Sequence, residues 1–420
     1  MLVLEHARLI DGTGRTPVDD ATIAIEGPRI IRAEPDAHYR GRARVFDVRG
    51  LTVLPGLIDA HVHFGGFVVD DPDWKFTYRS ILPFFLDYAR SFKKRRTLAI
   101  GNGTTTVRSA GDNHPQILRL RDRIDTGKLP GPRIIAVGPI LTAPGGHPAG
   151  TIYKSNRYVV EHATRQVDGT DAARAEVRQL ASDGVDQIKA VYGDVNPFDL
   201  EHPVPKLKQQ ILQALVEEAH QQGLPAMVHV GKPEDAIEAV AAGADSIEHG
   251  ILPGASSAEC PAELIALMRD RRTYFVPTLS AAWAMKSVYP DALKHAMRWA
   301  SRMHEGGVRV ALGTDAGAPG VVIGRAAHME LELLVESGLA PMEAVVAGTR
   351  NAAGVIRRAN DLGTIEPQKL ADLIVVAGDP VRDISACREI RLVVKNGSIV
   401  VDRLARRPMP LQPPPSPRDN

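Results

Sequence analysis

The sequence predicts an α/β protein: a closed parallel (β/α)8 barrel, the TIM barrel, carrying a small β-sandwich formed from both ends of the chain. Three observations predict it. Eight short apolar segments alternate with longer amphipathic stretches through the middle of the chain. The first fifty residues, and again those after Asp361, read instead as short strands and turns. The chain has 420 residues, 44% of them hydrophobic, which suits a barrel of roughly 250–300 residues plus a smaller module.

Taken in order, Met1–Leu9 and Ala21–Ile25 alternate apolar and polar residues, with turns at Asp11-Gly12-Thr13-Gly14 and Gly27-Pro28, and Val45–Val53 continues the pattern. The barrel strands are expected at Leu57–His63, Thr104–Ser109, Arg133–Val137, Gln187–Val191, Ala226–Val230, Ser246–Glu248, Tyr274–Pro277 and Arg309–Thr314. Lys206–Gln221 and Pro261–Arg269 have helical spacing, and Gly184, Gly223, Gly243 and Gly338 stand where helix C-caps belong. Asp372–Ala377 and Ile390–Lys395 are strands again, the second followed by an Asn396-Gly397 hairpin turn. The expected division is a composite β-sandwich of residues 1–56 and 361–405, a barrel of 57–360, and a Pro-rich tail of 406–420.

Lys plus Arg number 51 against 50 Asp plus Glu, so no global field draws the chain to nucleic acid or anionic lipid. The two cysteines, Cys260 and Cys387, form neither a CxxC pair nor a disulfide framework. The N-terminus lacks a secretory h-region, and no apolar run approaches the roughly 18 residues of a membrane span. The expectation is a cytoplasmic homo-oligomer acting on a small molecule, with no nucleic-acid or membrane partner.

The chemistry lies at the C-terminal ends of the expected strands, where barrel enzymes place it. His61 and His63 are two apart on one strand and so point to one face, a chelating half-site for Zn²⁺ or a similar ion. His229 and His249 close the fifth and sixth strands, and Asp315 ends the eighth as a carboxylate able to bind metal and to take a proton from water. Lys189, at the end of the fourth strand, would repel metal as a cation. It either loses its proton on burial or reacts with CO₂ to give an anionic carbamate. Packed histidines and a rim lysine paired with Asp186 or Asp194 are the plainer readings, but they do not explain the shared placement at strand ends.

This set resembles the amidohydrolase superfamily over nearly the whole chain. Leu54-Pro-Gly-Leu-Ile-Asp-Ala-His-Val-His63 is similar to the family's first barrel strand, and Lys189, His229, His249 and Asp315 follow in the family's order. Gly363-Thr-Ile-Glu-Pro-Gln-Lys-Leu-Ala-Asp-Leu-Ile-Val375 is similar to its return into the β-sandwich, with Gln368 where glycine is usual. Ala241-Ala-Gly-Ala-Asp-Ser-Ile-Glu-His-Gly250, Pro277-Thr-Leu279 and Pro144-Gly-Gly-His147 resemble the branch of metal-dependent Xaa-Pro dipeptidases, ochratoxin-type amidases and imidazolonepropionase.

The resemblance implies two divalent ions, Zn²⁺ by default, held by His61, His63, His229, His249, Asp315 and a carbamate on Lys189, which activate a hydroxide. It implies Asp315 as proton carrier and His147 as helper beside the substrate. The implied reaction is hydrolysis of an amide or peptide-like C–N bond in an N-acyl amino acid, a dipeptide or an aryl amide. Two departures bear on substrate. No tyrosine follows His229, where Val230-Gly231-Lys232 stands, and Val191-Tyr192-Gly193 replaces a Ser-Gly-Gly-like turn. Tyr192 and Lys232 are therefore the expected substrate contacts, and substrates without a free acid come into range. The competing readings are a lactonase or phosphotriesterase, a cyclic amidase or deaminase, and a non-catalytic scaffold. The aromatic stretch Phe67, Trp74, Phe76, Tyr78, Phe84, Phe85, Tyr88 is expected to be a packing surface, with a substrate lid as the alternative.

Overall fold

A computed structural model describes residues 1–35, 42–66, 86–197, 199–249 and 259–404. Strands from both ends of the chain build one sheet. Its members are β1 (Leu2–Leu9), β2 (Val18–Glu26), β3 (Arg29–Pro35), β4 (Arg44–Asp47), β5 (Leu51–Pro55), β15 (Leu373–Ala377), β16 (Ile390–Lys395) and β17 (Ser398–Asp402). The order is β17-β16-β15-β5-β1-β2-β3, with β4 paired to β1. The period of two along a strand explains why this sheet sits between two cores. Leu373 and Val375 of β15 pack with Leu4, Ile23 and Val53 of the terminal strands. Ile374 and Val376, pointing the other way, pack into the main core with Leu54.

The middle of the chain is parallel. Strands β6 (Leu57–Val62), β7 (Thr104–Ser109) and β8 (Arg133–Ala136) form one sheet. Strands β9 (Ile140–Thr142), β10 (Thr164–Gln166), β11 (Ile188–Val191), β12 (Ala226–Val230), β13 (Ser246–His249) and β14 (Tyr274–Val276) form another, in the order β10-β9-β11-β12-β13-β14. The helices Thr170–Asp183, Gln209–Gln221, Ala262–Arg271 and Arg325–Glu336 lie between or after these strands. Gly184 ends the first of them in a left-handed conformation, φ 89°, as its C-cap role required. Among the described residues no helix is long and apolar enough to cross a membrane.

The expected strand Arg309–Thr314 is not continuous. It makes single parallel bridges, Phe275 to Val310 on one side and Val62 to Ala316 on the other. The segment still bonds to both neighbours, Ala311 N to Phe275 O and Ala60 N to Leu312 O, but the ladder is irregular. Leu312 N donates to Ala347 O, while Thr314 N and Asp315 N both donate to His61 O. A left-handed Asp315, φ 58°, then turns the chain. The short β9 and β10, unexpected from sequence, form after the Gly138-Pro139 break. Phe67, Trp74, Phe76, Tyr78, Phe84 and Phe85, and the 406–420 tail, lie outside the described residues. Tyr88 does pack, its ring edge-on to Phe92 at 5.3 Å, and Phe92 in turn meets Phe64 at 5.9 Å.

Candidate metal centre

His61 and His63 reach one point from the end of β6, where Asp315 arrives from the turn after the bridged segment. One donor atom from each of the three lies within 4.8 Å of the others. His63 Nε2 is 3.1 Å from Asp315 Oδ1, and His61 Nε2 is 3.6 Å from the same oxygen. The approach needs glycine. A Cβ on Gly313 would come within 2.9 Å of His61 Cβ, and one on Gly317 within 2.6 Å of His63 O.

His249 joins from β13, its ring 4.8 Å from His61, and His229 from β12, its ring 4.5 Å from His249. His147, in the loop after β9, stacks on His229 at 5.2 Å. Lys189 on β11 is 2% exposed and lies in the field of Glu248 and Asp315. All seven residues expected in the metal and catalytic set thus stand together. Tyr192 and Lys232 do not join them. Tyr192 is buried, its hydroxyl donates to Glu238 and Lys206 sits 4.0 Å over its ring. Lys232 pairs with Asp194 at 2.6 Å.

The imidazoles are aimed by their Nδ1 atoms. His61 Nδ1 donates to Glu248 Oε2 at 2.6 Å, and His63 Nδ1 to Gly111 O at 2.9 Å. His249 Nδ1 meets Thr278 Oγ1 at 2.9 Å, and His147 Nδ1 meets Thr151 Oγ1 at 2.7 Å. Each contact leaves Nε2 as the outward nitrogen. Burial, then the neighbouring Lys189 or imidazole charges, hold His61, His229 and His249 well below the usual histidine pKa, so their lone pairs are free at neutral pH. Burial brings His147 down to about 4 and Lys189 down to about 8, the latter against the pull of Glu248 and Asp315. Burial opposes charge on His63 too, but the Asp315 carboxylate prevails and raises it. His61 Nε2 is buried with no hydrogen-bond partner among the described residues. An orphaned lone pair beside a carboxylate and further neutral imidazoles suits a divalent cation.

Sequence reasoning missed a supporting layer: Asp59, Arg108, Asp112 and Glu248, all buried. Asp112 accepts the amides of Phe64 and Gly65 and so fixes the chain just past His63. The available signal was a charged residue inside an apolar strand, as in Leu57-Ile-Asp-Ala60 and Ser246-Ile-Glu248.

The model of the amidohydrolase family matches residues 52–400. This chain belongs to the amidohydrolase family. The amidohydrolase is 28% identical over 422 aligned residues to ochratoxinase of Aspergillus niger, across 92% of this chain and 83% of that one. It is 30% identical to a Xaa-Pro dipeptidase solved with methionine in its active site, at a TM-score of 0.80 over 95% of this chain and 99% of that one. It is 26% identical to phenylurea hydrolase B, at a TM-score of 0.82 over 97% and 98% of the two chains. The amidohydrolase is thus an enzyme, a hydrolase acting on carbon–nitrogen bonds, in the branch that the sequence resembled.

Proposed function

We propose that this chain is a metal-dependent hydrolase of an amide-type C–N bond, with an N-acyl amino acid, a dipeptide or an aryl amide as substrate. The convergence of His61, His63 and Asp315 carries the reading, with His229, His249 and Lys189 around them. These six residues would hold two divalent ions, Zn²⁺ first, with Lys189 as a carbamate. An amine lowered to about 8 is partly neutral at physiological pH, which is the form that adds to CO₂. The parallel strands and the bridged 309–316 segment would close as one (β/α)8 barrel, with residues 1–56 and 361–405 as the β-sandwich beside it. The hydrogen bonds Val137 N to Ser109 O, Asp186 N to Ala136 O and Ala60 N to Leu312 O support that closure.

Divalent ions in such a site bring the pKa of bound water from 15.7 towards about 7 and polarise a carbonyl. The chain's own residues do the rest. Asp315 takes the proton of the attacking water and carries it to the leaving nitrogen. His147 is neutral at pH 7. With the Thr151 hydroxyl donating to Nδ1, its Nε2–H would be free to meet a bound carbonyl oxygen and stabilise the developing oxyanion. The reading does not rest on Tyr192 or Lys232, whose polar atoms are taken by Glu238 and Asp194. That leaves amides and ureas without a free acid in range, in keeping with the likeness to phenylurea hydrolase B.

The test is metal analysis beside a panel of dipeptides, N-acyl amino acids, anilides, phenylureas and lactones. The expected result is about two ions per chain, cleavage within the C–N group, and loss of both metal and turnover in Lys189→Ala, partly restored by a short exogenous carboxylate. Full metal content and full hydrolysis in Lys189→Ala would remove the carbamate. Preference for lactones would overturn the bond class.

A further inference from the structure

We propose that Glu248 is a positioning residue that sets the tautomer of His61, and that Arg108 locks it in place. The inference rests on the metal-hydrolase reading above for its consequence, though not for its geometry. Glu248 is completely buried on β13. Its Oε2 lies 2.6 Å from His61 Nδ1. A carboxylate only accepts, so the imidazole proton sits on Nδ1 and the Nε2 lone pair faces the site, where it has no hydrogen-bond partner among the described residues.

The second carboxylate oxygen is held just as firmly. Arg108 Nη2 donates to Oε1 at 2.7 Å, and the Ser246 hydroxyl donates to the same oxygen. Arg108 is 1% exposed and is itself fixed on three sides. Its Nε donates to Ala60 O, and its Nη1 lies 3.0 Å from Gln187 Oε1 and 3.2 Å from Ser246 Oγ. One buried cation and one buried anion therefore tie β6, β7, β13 and Gln187, just ahead of β11, together beside a residue of the proposed metal set. A hydrophobic pair would serve packing as well or better. What a hydrophobic pair cannot do is hold a proton on Nδ1 and raise the basicity of Nε2, and a carboxylate behind a metal-binding histidine does both.

The test compares wild type, Glu248→Gln and Arg108→Gln/Glu248→Gln, the last leaving no stranded charge if the single variant fails to fold. Two readouts are taken on each. The first is Zn²⁺ affinity of chelator-stripped protein, by competition with a chromogenic chelator. The second is the imidazole nitrogen NMR spectrum of the metal-free protein, with His61 assigned by substitution. An amide cannot serve both His61 and Arg108 as an acceptor, so the variants should bind Zn²⁺ about 10–100-fold more weakly. His61 should move from the single Nδ1–H form to a mixture. Unchanged Zn²⁺ affinity together with a retained Nδ1–H tautomer would overturn the proposal. If wild type itself takes up no Zn²⁺ or other divalent ion, the metal reading fails, and the tautomer spectra still decide whether Glu248 governs His61.

Discussion

Asp59 grips Thr314 with both carboxylate oxygens: Oδ1 accepts the Thr314 amide at 3.0 Å and Oδ2 its hydroxyl at 2.7 Å. Asp59 precedes His61 by two residues, and Thr314 immediately precedes Asp315. This contact therefore sets the distance between the first histidine and the proposed proton carrier. Asp59→Ala should loosen both, leaving the buried Thr314 hydroxyl without its acceptor and the Thr314 amide with only its longer bond to His61 O. Metal affinity should fall about 10–100-fold, as is usual when an outer partner of a ligand is lost. Unfolding free energy should fall by about 2–4 kcal/mol. Metal retained after dialysis against a chelator, read beside a urea titration, checks both.

Gly313 is needed because strand β6 and the bridged segment touch there. An added Cβ would lie 2.4 Å from Val276 Cγ1 and 2.9 Å from His61 Cβ. Gly313→Ala should destabilise the fold by about 1–3 kcal/mol through overpacking. It should also displace His61, so metal content should drop together with thermal stability. An alanine variant with wild-type melting temperature and metal content would show that the two segments part without loss.

His147 stacks on His229 and is held at Nδ1 by the Thr151 hydroxyl. If it donates to the carbonyl oxygen and does not bind metal, His147→Ala should leave the metal stoichiometry intact. The expected loss is about 10²–10³-fold in kcat, the size typical of one oxyanion donor, with a smaller change in KM. Loss of metal in this variant would instead place His147 among the ligands.

The proposed metal set was legible in the sequence because those residues stand at strand ends, where a period of two and an apolar flank fix which way a side chain points. His61, His63, His229 and His249 announced themselves in that way. The supporting groups were harder to read because each acts through a partner far away in sequence. Glu248 reaches His61, and Asp112 returns to the amides after His63. Tyr192 shows the limit of the method. It follows a strand end, yet its hydroxyl turns to Glu238 on a neighbouring helix, and only packing decides that direction. The 309–314 segment reads as a strand by composition and does bond to β14 and β6, through Ala311 N to Phe275 O and Thr314 N to His61 O, but Leu312 N turns to Ala347 O and the pairing is reduced to single bridges.

His328 offers a test of the fold away from the site. It is 3% exposed on the helix Arg325–Glu336, and its Nε2–H donates to Asn102 O at 2.9 Å. Burial, reinforced by the nearby Arg388 charge, lowers its pKa from 6.5 to about 4. The unfolded chain therefore binds a proton through the window between these values while the folded chain does not. The stability this neutral histidine allows is complete above pH 6.5 and is lost as pH falls towards 4. His328→Gln keeps an N–H for Asn102 but cannot titrate. Between pH 7 and pH 5 the wild type should lose about 2 kcal/mol more than the variant in urea-derived unfolding free energy. Parallel pH profiles for the two proteins would mean that His328 accepts a proton in place, with water or a carboxylate reaching it.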